Sequence, residues 1–222
     1  MEQTGYGAHI ARAVRSVPYE TAIETEDIAK QLVKEFAIPY GQAKTITNVK
    51  LKRMADKGKI ERLQKGIYCH VKQTVFGTMT PDIDQVMLKT LILQDGERIG
   101  YESGASLFNK LGLTTLTPRN IEITTNRFEV KLPEGCHLKL QRPHTAVTGN
   151  NWKYLQFIGI LDELPYTYTD VKNAKQILLQ YAKKQQLDDL TLIFTARRYY
   201  PQKIVLQLID LLRGVENETT SR

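Results

Sequence analysis

Apolar residues recur at helical spacing from the start of the chain. Over residues 7–16, Ala8, Ile10, Ala11 and Val14 share one side and leave Arg12 and Arg15 to solvent. Val17-Pro18-Tyr19 ends that run, because a proline steers the preceding residue away from helix. A second helix is predicted to open at Thr25. Thr25 is its expected cap, and Glu26 and Asp27 lie in the first turn, where carboxylates suit the helix dipole. Its stripe is Ile28, Leu32 and Phe36, flanked by Ala29 and Val33; Ile38-Pro39-Tyr40-Gly41 is the turn that follows. A third helix is predicted over about 42–56, with Ala43, Ile46, Thr47, Leu51 and Met54 facing inward, and Gly58 as its stop. Lys59 to Leu63 and Ile67 to Val71 are short runs on either side of Gln64-Lys65-Gly66, which reads as a β-hairpin. Helix, helix, turn, helix, hairpin is the plan of a winged helix-turn-helix, whose third helix enters a major groove while its hairpin lies on backbone or minor groove.

The pattern changes after the hairpin. Residues 73–82, with Gly77, Pro81 and three threonines, read as a connector. An apolar helix is expected over 83–93, through Ile83, Val86, Met87, Leu91 and Ile92, ending at Asp95-Gly96. Ser103 or Gly104 opens a short helix that Gly112 closes. Asn120 to Thr125, Arg127 to Leu132 and His137 to Gln141 are strand candidates, and Asn151–Glu163, Asp170–Lys184, Leu187–Thr195 and Pro201–Arg213 are helix candidates. The expected fold class is therefore α+β: a winged helix-turn-helix over 1–76, then a mixed α/β domain over 77–222 with a small sheet and a helical tail.

Charge sharpens the first domain. The 222 residues are 41% hydrophobic and 25% charged, an ordinary globular balance, and carry a net charge of +7. Residues 1–72 hold 13 Lys/Arg against 8 Asp/Glu. Residues 44–65 alone hold eight basic side chains, Lys44, Lys50, Lys52, Arg53, Lys57, Lys59, Arg62 and Lys65, against Asp56 and Glu61. That cluster falls on the third helix and the hairpin, the two elements expected to touch DNA. Lysine and arginine neutralise phosphates and supply affinity with little sequence information. Bases are read by shorter polar groups: a helical wheel puts Thr45, Asn48 and Lys52 opposite the core, Lys44 nearby and Gln42 at the N-terminal tip. The competing reading of the same residues is a solvated helix face, or a winged helix that holds a protein.

Other chemistries find little support. No apolar run approaches the roughly 18–20 residues of a membrane helix, and Met1 to Gly5 lacks a signal-peptide pattern, so a cytoplasmic protein is expected. Cys69 and Cys136 lie far apart, and Cys69-His70 finds no further metal ligands. His9, His70, His137 and His144 are scattered, and Asp188-Asp189 reads as a helix N-terminal pair. Gly100 to Gly104 is no phosphate loop, and Ser103 lacks the Gly-x-Ser-x-Gly elbow. The expectation is a protein that is not an enzyme, with no catalytic residues, metal site or cofactor. Arg197-Arg198-Tyr199-Tyr200 reads either as a solvated corner between helices with buried tyrosines or as a contact for nucleic acid or protein.

Several stretches together resemble the AbiEi-type antitoxins. Leu51 to Tyr68 resembles that family's helix-three-to-wing signature. Gly96 to Leu113, with Ser103-Gly104-Ala105 and Leu111-Gly112-Leu113, resembles the start of its second domain, and Asn120-Ile121-Glu122-Ile123-Thr124-Thr125 the strand after it. Ala196 to Pro201 is similar to its helical end. The resemblance implies a type IV toxin–antitoxin system of bacterial abortive infection, a phage defence. In such a system the winged helix represses its own operon at promoter inverted repeats in double-stranded DNA. The second domain counters a nucleotidyltransferase-like toxin. A stand-alone regulator without a toxin and a protein-interaction module are the alternatives.

Overall fold

The structure, a computed structural model, describes residues 5–164 and 171–219. Its fold is α+β, with helices and several small sheets in two compact units. The first unit runs up to Thr90 and takes in Lys131–Cys136; the second comprises Leu91–Val130 and the chain from His137 onward.

In the first unit, α1 (Tyr6–Ser16), α2 (Thr25–Phe36) and α3 (Tyr40–Asp56) pack around Ile10, Val14, Ile28, Ala29, Leu32, Ala43 and Leu51, all buried. The expected stripes of α2 and α3 bury, with Ile46, Met54 and Phe36 partly covered against them, while on α1 Ile10 and Val14 bury together with Ala13, and Ala8 and Ala11 are only half-buried. Two helix starts differ from expectation. Glu24, not Thr25, is the N-cap residue of α2; Thr25 is its first residue, with a buried hydroxyl that has no hydrogen-bond partner. Helix α3 begins at Tyr40 because Pro39, with φ −58°, already sits in a conformation that leads into a helix. At its other end, Gly58 at φ 64° turns the chain, and the Gly58 and Lys59 amides donate back to Ala55 and Met54 at 2.8 and 3.0 Å.

The expected hairpin is β2 (Ile60–Gln64) and β3 (Ile67–His70), paired antiparallel across Lys65-Gly66, with a register shift between Arg62 and Gln64. A third strand joins it: β1 (Ile23–Glu24) pairs antiparallel with β3, Ile23 opposite Tyr68 and Glu24 opposite Ile67, giving the order β1-β3-β2. The segment expected as a connector instead forms a second ribbon, β4 (Lys72–Thr74) against β5 (Gly77–Met79). Helix α4 (Ile83–Ile92) follows, and the division between the units falls within it.

The second unit opens with a small hairpin, β6 (Leu93–Gln94) and β7 (Glu97–Arg98): α4 ends at Ile92, and Asp95-Gly96, expected to end the helix, is instead the turn of this hairpin, both residues having positive φ, 50° and 82°. Its main sheet has the order β10-β9-β8, from β8 (Gly100–Ser103), β9 (Ile121–Thr125) and β10 (Leu138–Gln141). β8 is antiparallel and β10 parallel to β9. Gly100 begins β8 where a side chain has no room: a Cβ there would lie 2.4 Å from the Leu91 carbonyl oxygen and 2.9 Å from Thr125 Cβ. Between β8 and β9, α5 (Gly104–Leu111) ends on Gly112 at φ 73°. The strand expected over Arg127–Leu132 is not formed. The chain turns after Asn126, and residues 131–136 leave this unit for the first.

Helices α6 (Trp152–Glu163), α7 (Ala174–Lys184), α8 (Asp189–Tyr199) and α9 (Gln202–Thr219) complete the unit. The expected start of α7 at Asp170 lies outside the described residues. Leu155, Phe157, Ile158, Leu178, Leu192, Ile204 and Leu208 form the core with Phe108 and Leu113 from around α5. Asp188 caps α8 by accepting from the Thr191 amide at 2.7 Å. Among the described residues no helix is long and apolar enough to cross a membrane.

Candidate nucleic-acid interface

Helix α3 sets the candidate surface. Its inward side is Ala43, Thr47 and Leu51, so the residues roughly half a turn away must face water. Gln42, Lys44, Thr45, Asn48, Lys52 and Arg53 are all exposed on α3. Lys57 and Lys59 are exposed where the helix ends, and Arg62 and Lys65 are exposed on β2 and its turn. Ten of the eleven expected residues therefore lie open to solvent on contiguous elements of one unit.

Lys50 is the exception. It is half-buried, and a Cβ built on Gly7 of α1 would lie 3.4 Å from its Nζ. Its wheel position neighbours Thr47, Leu51 and Met54, so its stem runs along the packed side, with the ammonium reaching the edge near α1. Lys50 thus belongs beside α1 and not on the outer strip.

The remaining cations are free for a polyanion. Among the described residues, none of the eight basic side chains from Lys44 to Lys65 takes part in an ion pair. Their local contacts are weak: Lys44 Nζ lies 5.7 Å from the Tyr40 ring centroid, and Arg62 Nε donates to the Gln64 carbonyl at 3.3 Å. Thr45 Oγ1 donates to the Gly41 carbonyl at 2.9 Å, one turn back in the helix.

Two apolar residues join this surface unannounced. Val49 is 45% exposed and Tyr40 40% exposed, both on α3. Val49 lies between Thr45 and Arg53 on the wheel, and its phase alone marks it as outward. Between the end of α3 and the hairpin lies an open cleft of about 380 Å³, lined by Lys52, Asp56, Glu61, Arg62, Tyr68 and, from β5, Thr78. Lys131 is a further exposed cation in this unit, brought against the hairpin when its carbonyl accepts a bond from Gln64 Nε2 at 2.6 Å.

The half-site Cys69-His70 serves packing. Burial pushes the Cys69 thiol up to about 11, and His70 Nε2 lies 2.9 Å from the Val17 carbonyl. Among the described residues, no group of three or more His, Cys, Asp or Glu side chains could hold a metal ion.

In the second unit the polar interior is structural in its bonding. Gln156 donates to the Glu102 carbonyl at 2.7 Å and accepts from the Tyr181 hydroxyl at 2.6 Å, while the Tyr200 hydroxyl donates to the Leu155 carbonyl at 3.2 Å. Glu163 is pushed up to about 7, first by burial and then by the nearby Glu122 carboxylate. Of the basic-aromatic patch, Arg197 and Arg198 are exposed on the last turn of α8, Tyr199 is half-buried and Tyr200 is buried.

A family model described as a family of unknown function (DUF6088) matches residues 21–135, more than half of the chain, from the residues before β1 to the segment that returns to the first unit. No curated protein matches the chain.

Proposed function

We propose that this chain, which belongs to the DUF6088 family of unknown function, is a cytoplasmic DNA-binding repressor of its own operon, built on a winged helix-turn-helix. The observation that carries the reading is the set of exposed cations without an ion-pair partner, Lys44, Lys52, Arg53, Lys57, Lys59, Arg62 and Lys65, beside Gln42, Thr45 and Asn48 on the outer strip of α3. The element order α1-β1-α2-α3-β2-β3, with the three strands joined in a sheet of order β1-β3-β2, supports the winged-helix plan. In this reading α3 enters the major groove, where Gln42, Thr45 and Asn48 meet base edges. Lys44, Lys52, Arg53, Lys57, Lys59, Arg62 and Lys65 hold phosphates on both sides. Promoter occlusion at inverted repeats is the mechanism, and the chain itself performs no catalysis.

The second unit is the part assigned to an antitoxin role against a nucleotidyltransferase-like toxin, on the strength of the resemblance along Gly96–Leu113, Asn120–Thr125 and Ala196–Pro201. Leu190 and Phe194, 65% and 66% exposed one turn apart on α8, favour a protein partner there.

Fluorescence anisotropy on a duplex from immediately upstream of the gene tests the DNA-binding reading. Affinity should fall with salt at a log–log slope on the order of −4 for about five neutralised phosphates. A variant carrying Lys52→Ala, Arg53→Ala and Lys65→Ala should lose roughly 3 of that slope. Binding of the triple variant as tight and as salt-dependent as the parent's would remove this surface from consideration. Co-expression with the protein encoded next to the gene tests the second role: relief of its toxicity by this chain is expected, and no relief points to a stand-alone regulator.

A further inference from the structure

The β4–β5 ribbon ends in the two most exposed large apolar side chains of the described residues, Val75 at 95% and Phe76 at 98%. Single exposed apolar residues are ordinary, but an adjacent pair held out at the apex of a hairpin costs hydration on both side chains and calls for an occupant.

The ribbon is built to hold that apex still. Lys72 pairs with Met79, Gln73 with Thr78 and Thr74 with Gly77, so Val75-Phe76 is a two-residue turn. The Thr74 hydroxyl donates to the Gly77 carbonyl at 2.8 Å and accepts from the Phe76 amide at 3.3 Å, while the Thr78 hydroxyl donates to Gln73 Oε1 at 3.1 Å. At the base, the Tyr19 hydroxyl donates to the Met79 carbonyl at 3.4 Å, and Lys72 Nζ sits 3.9 Å from the Tyr19 ring centroid.

Charge and position decide what the apex meets. Residues 71–81 contain Lys72 and no acid, so the ribbon offers no repulsion to a polyanion. Thr78 lines the same cleft as Lys52 and Arg62, which makes the ribbon continuous with the cationic surface of α3 and β2. A second copy of the chain is a poorer occupant. One phenylalanine and one valine bury a few hundred Å² at most, against roughly 1,200–2,000 Å² for a stable interface. A wedge between base pairs needs only one or two such side chains, and its unstacking cost is met by the surrounding phosphate contacts.

We propose that the β4–β5 ribbon is a second DNA-contacting element, whose Phe76 inserts between base pairs of duplex DNA, with Val75 beside it, and kinks the duplex next to the site occupied by α3. The proposal rests on the DNA-binding reading above and adds a deformation of the bound DNA to it.

The test uses the full chain and a 30-base-pair duplex from upstream of the gene, carrying 2-aminopurine at its pyrimidine–purine steps and a fluorophore pair at its ends. Binding of the parent protein should raise 2-aminopurine fluorescence and shorten the end-to-end distance. Phe76→Ala should weaken binding by roughly 5- to 100-fold and abolish both signals, while Phe76→Trp should keep them. The melting temperature of Phe76→Ala should match the parent's, since the side chain touches nothing in the fold. Tight binding by the parent without unstacking or bending, with Phe76→Ala unchanged, overturns the wedge and leaves the DNA-binding reading standing. No binding by the parent overturns both. A dimer in sedimentation that Phe76→Ala converts to monomer also overturns the wedge and assigns the apex to a second copy.

Discussion

The side-chain amide of Gln64 donates to the main-chain carbonyl of Lys131 at 2.6 Å, across 67 residues of sequence. This bond ties β2 to the segment 131–136, which leaves the second unit's sheet connection to join the first unit.

Removing it should loosen that segment selectively. Gln64→Ala is expected to cost about 0.5–1 kcal/mol, since the bond is solvent-accessible. Hydrogen exchange should accelerate in residues 131–136 and stay unchanged in α1 and α2. Equal exchange in the two proteins would mean that the segment is held by something else.

Lys50 and Lys52 make a contrast within one helical turn. Lys52→Ala should weaken DNA binding and lower the salt slope by about 1, as for any phosphate contact. Lys50→Ala should leave the slope unchanged, because that side chain runs toward α1. A loss of slope with Lys50→Ala would show that the ammonium swings out to the DNA.

Helices α1 to α3 were readable from their helical periods, and the β2–β3 hairpin from the Lys65-Gly66 turn between two short runs; its strands do not alternate in burial, since Ile67, Tyr68 and Cys69 are all buried. β1 was not readable, because two residues, Ile23 and Glu24, give no alternation; they become a strand only where β3 offers an edge. Arg127 to Leu132 shows the reverse: its alternation is genuine, but no neighbouring strand pairs with it, and the chain departs for the other unit. Residues 73–82 looked like a connector because their side chains are polar or exposed on both faces, which hides a ribbon that buries neither. For the candidate site, residue type placed ten of the eleven side chains in solvent. It failed at Lys50, whose long apolar stem lets a cation occupy a core-facing position.

Thr47 is fully buried on α3, and its hydroxyl has no hydrogen-bond partner. Thr47→Val replaces that hydroxyl with a methyl of similar size and should stabilise the chain by about 1 kcal/mol. Chemical denaturation checks it; a destabilised variant would show that the hydroxyl is satisfied in solution, for example by water.

Gly100→Ala should do severe damage. The new Cβ meets two backbone carbonyl oxygens, of Leu91 at 2.4 Å and Thr124 at 3.0 Å, and neither can swing aside as a flexible side chain would. A loss of about 3 kcal/mol or more is expected, read as a lower melting temperature or failure to accumulate as folded protein. A parent-like melting temperature would rule out this packing around β8.

Glu163 gives the second unit a pH dependence of definite sign. Its folded-state pKa, raised to about 7, lies above the ordinary carboxylate value of 4.5. Below 4.5 both folded and unfolded forms are protonated, and Glu163 costs nothing. As pH rises through that value the unfolded chain ionises first, so stability falls until about pH 7 and then levels. Glu163→Gln should remove this fall and leave the variant relatively more stable at pH 8 than at pH 4. Urea unfolding at the two pH values reads it, and an unchanged pH profile would place the titration elsewhere.

The bond from the Thr45 hydroxyl to the Gly41 carbonyl carries a consequence for base choice. Its proton is engaged within the helix, so Thr45 can only accept. In a major groove the acceptors, guanine O6, the purine N7 atoms and thymine O4, would then repel it, whereas the amino groups of adenine and cytosine would be drawn to it. Val49, one turn further along the strip, offers methyl groups that suit a thymine methyl. Duplexes recovered from a randomised pool should carry that preference, and Thr45→Val should erase its amino-group component. In the proposed DNA-bound state, a hydroxyl tethered to its own backbone would act as a filter on nucleotide identity.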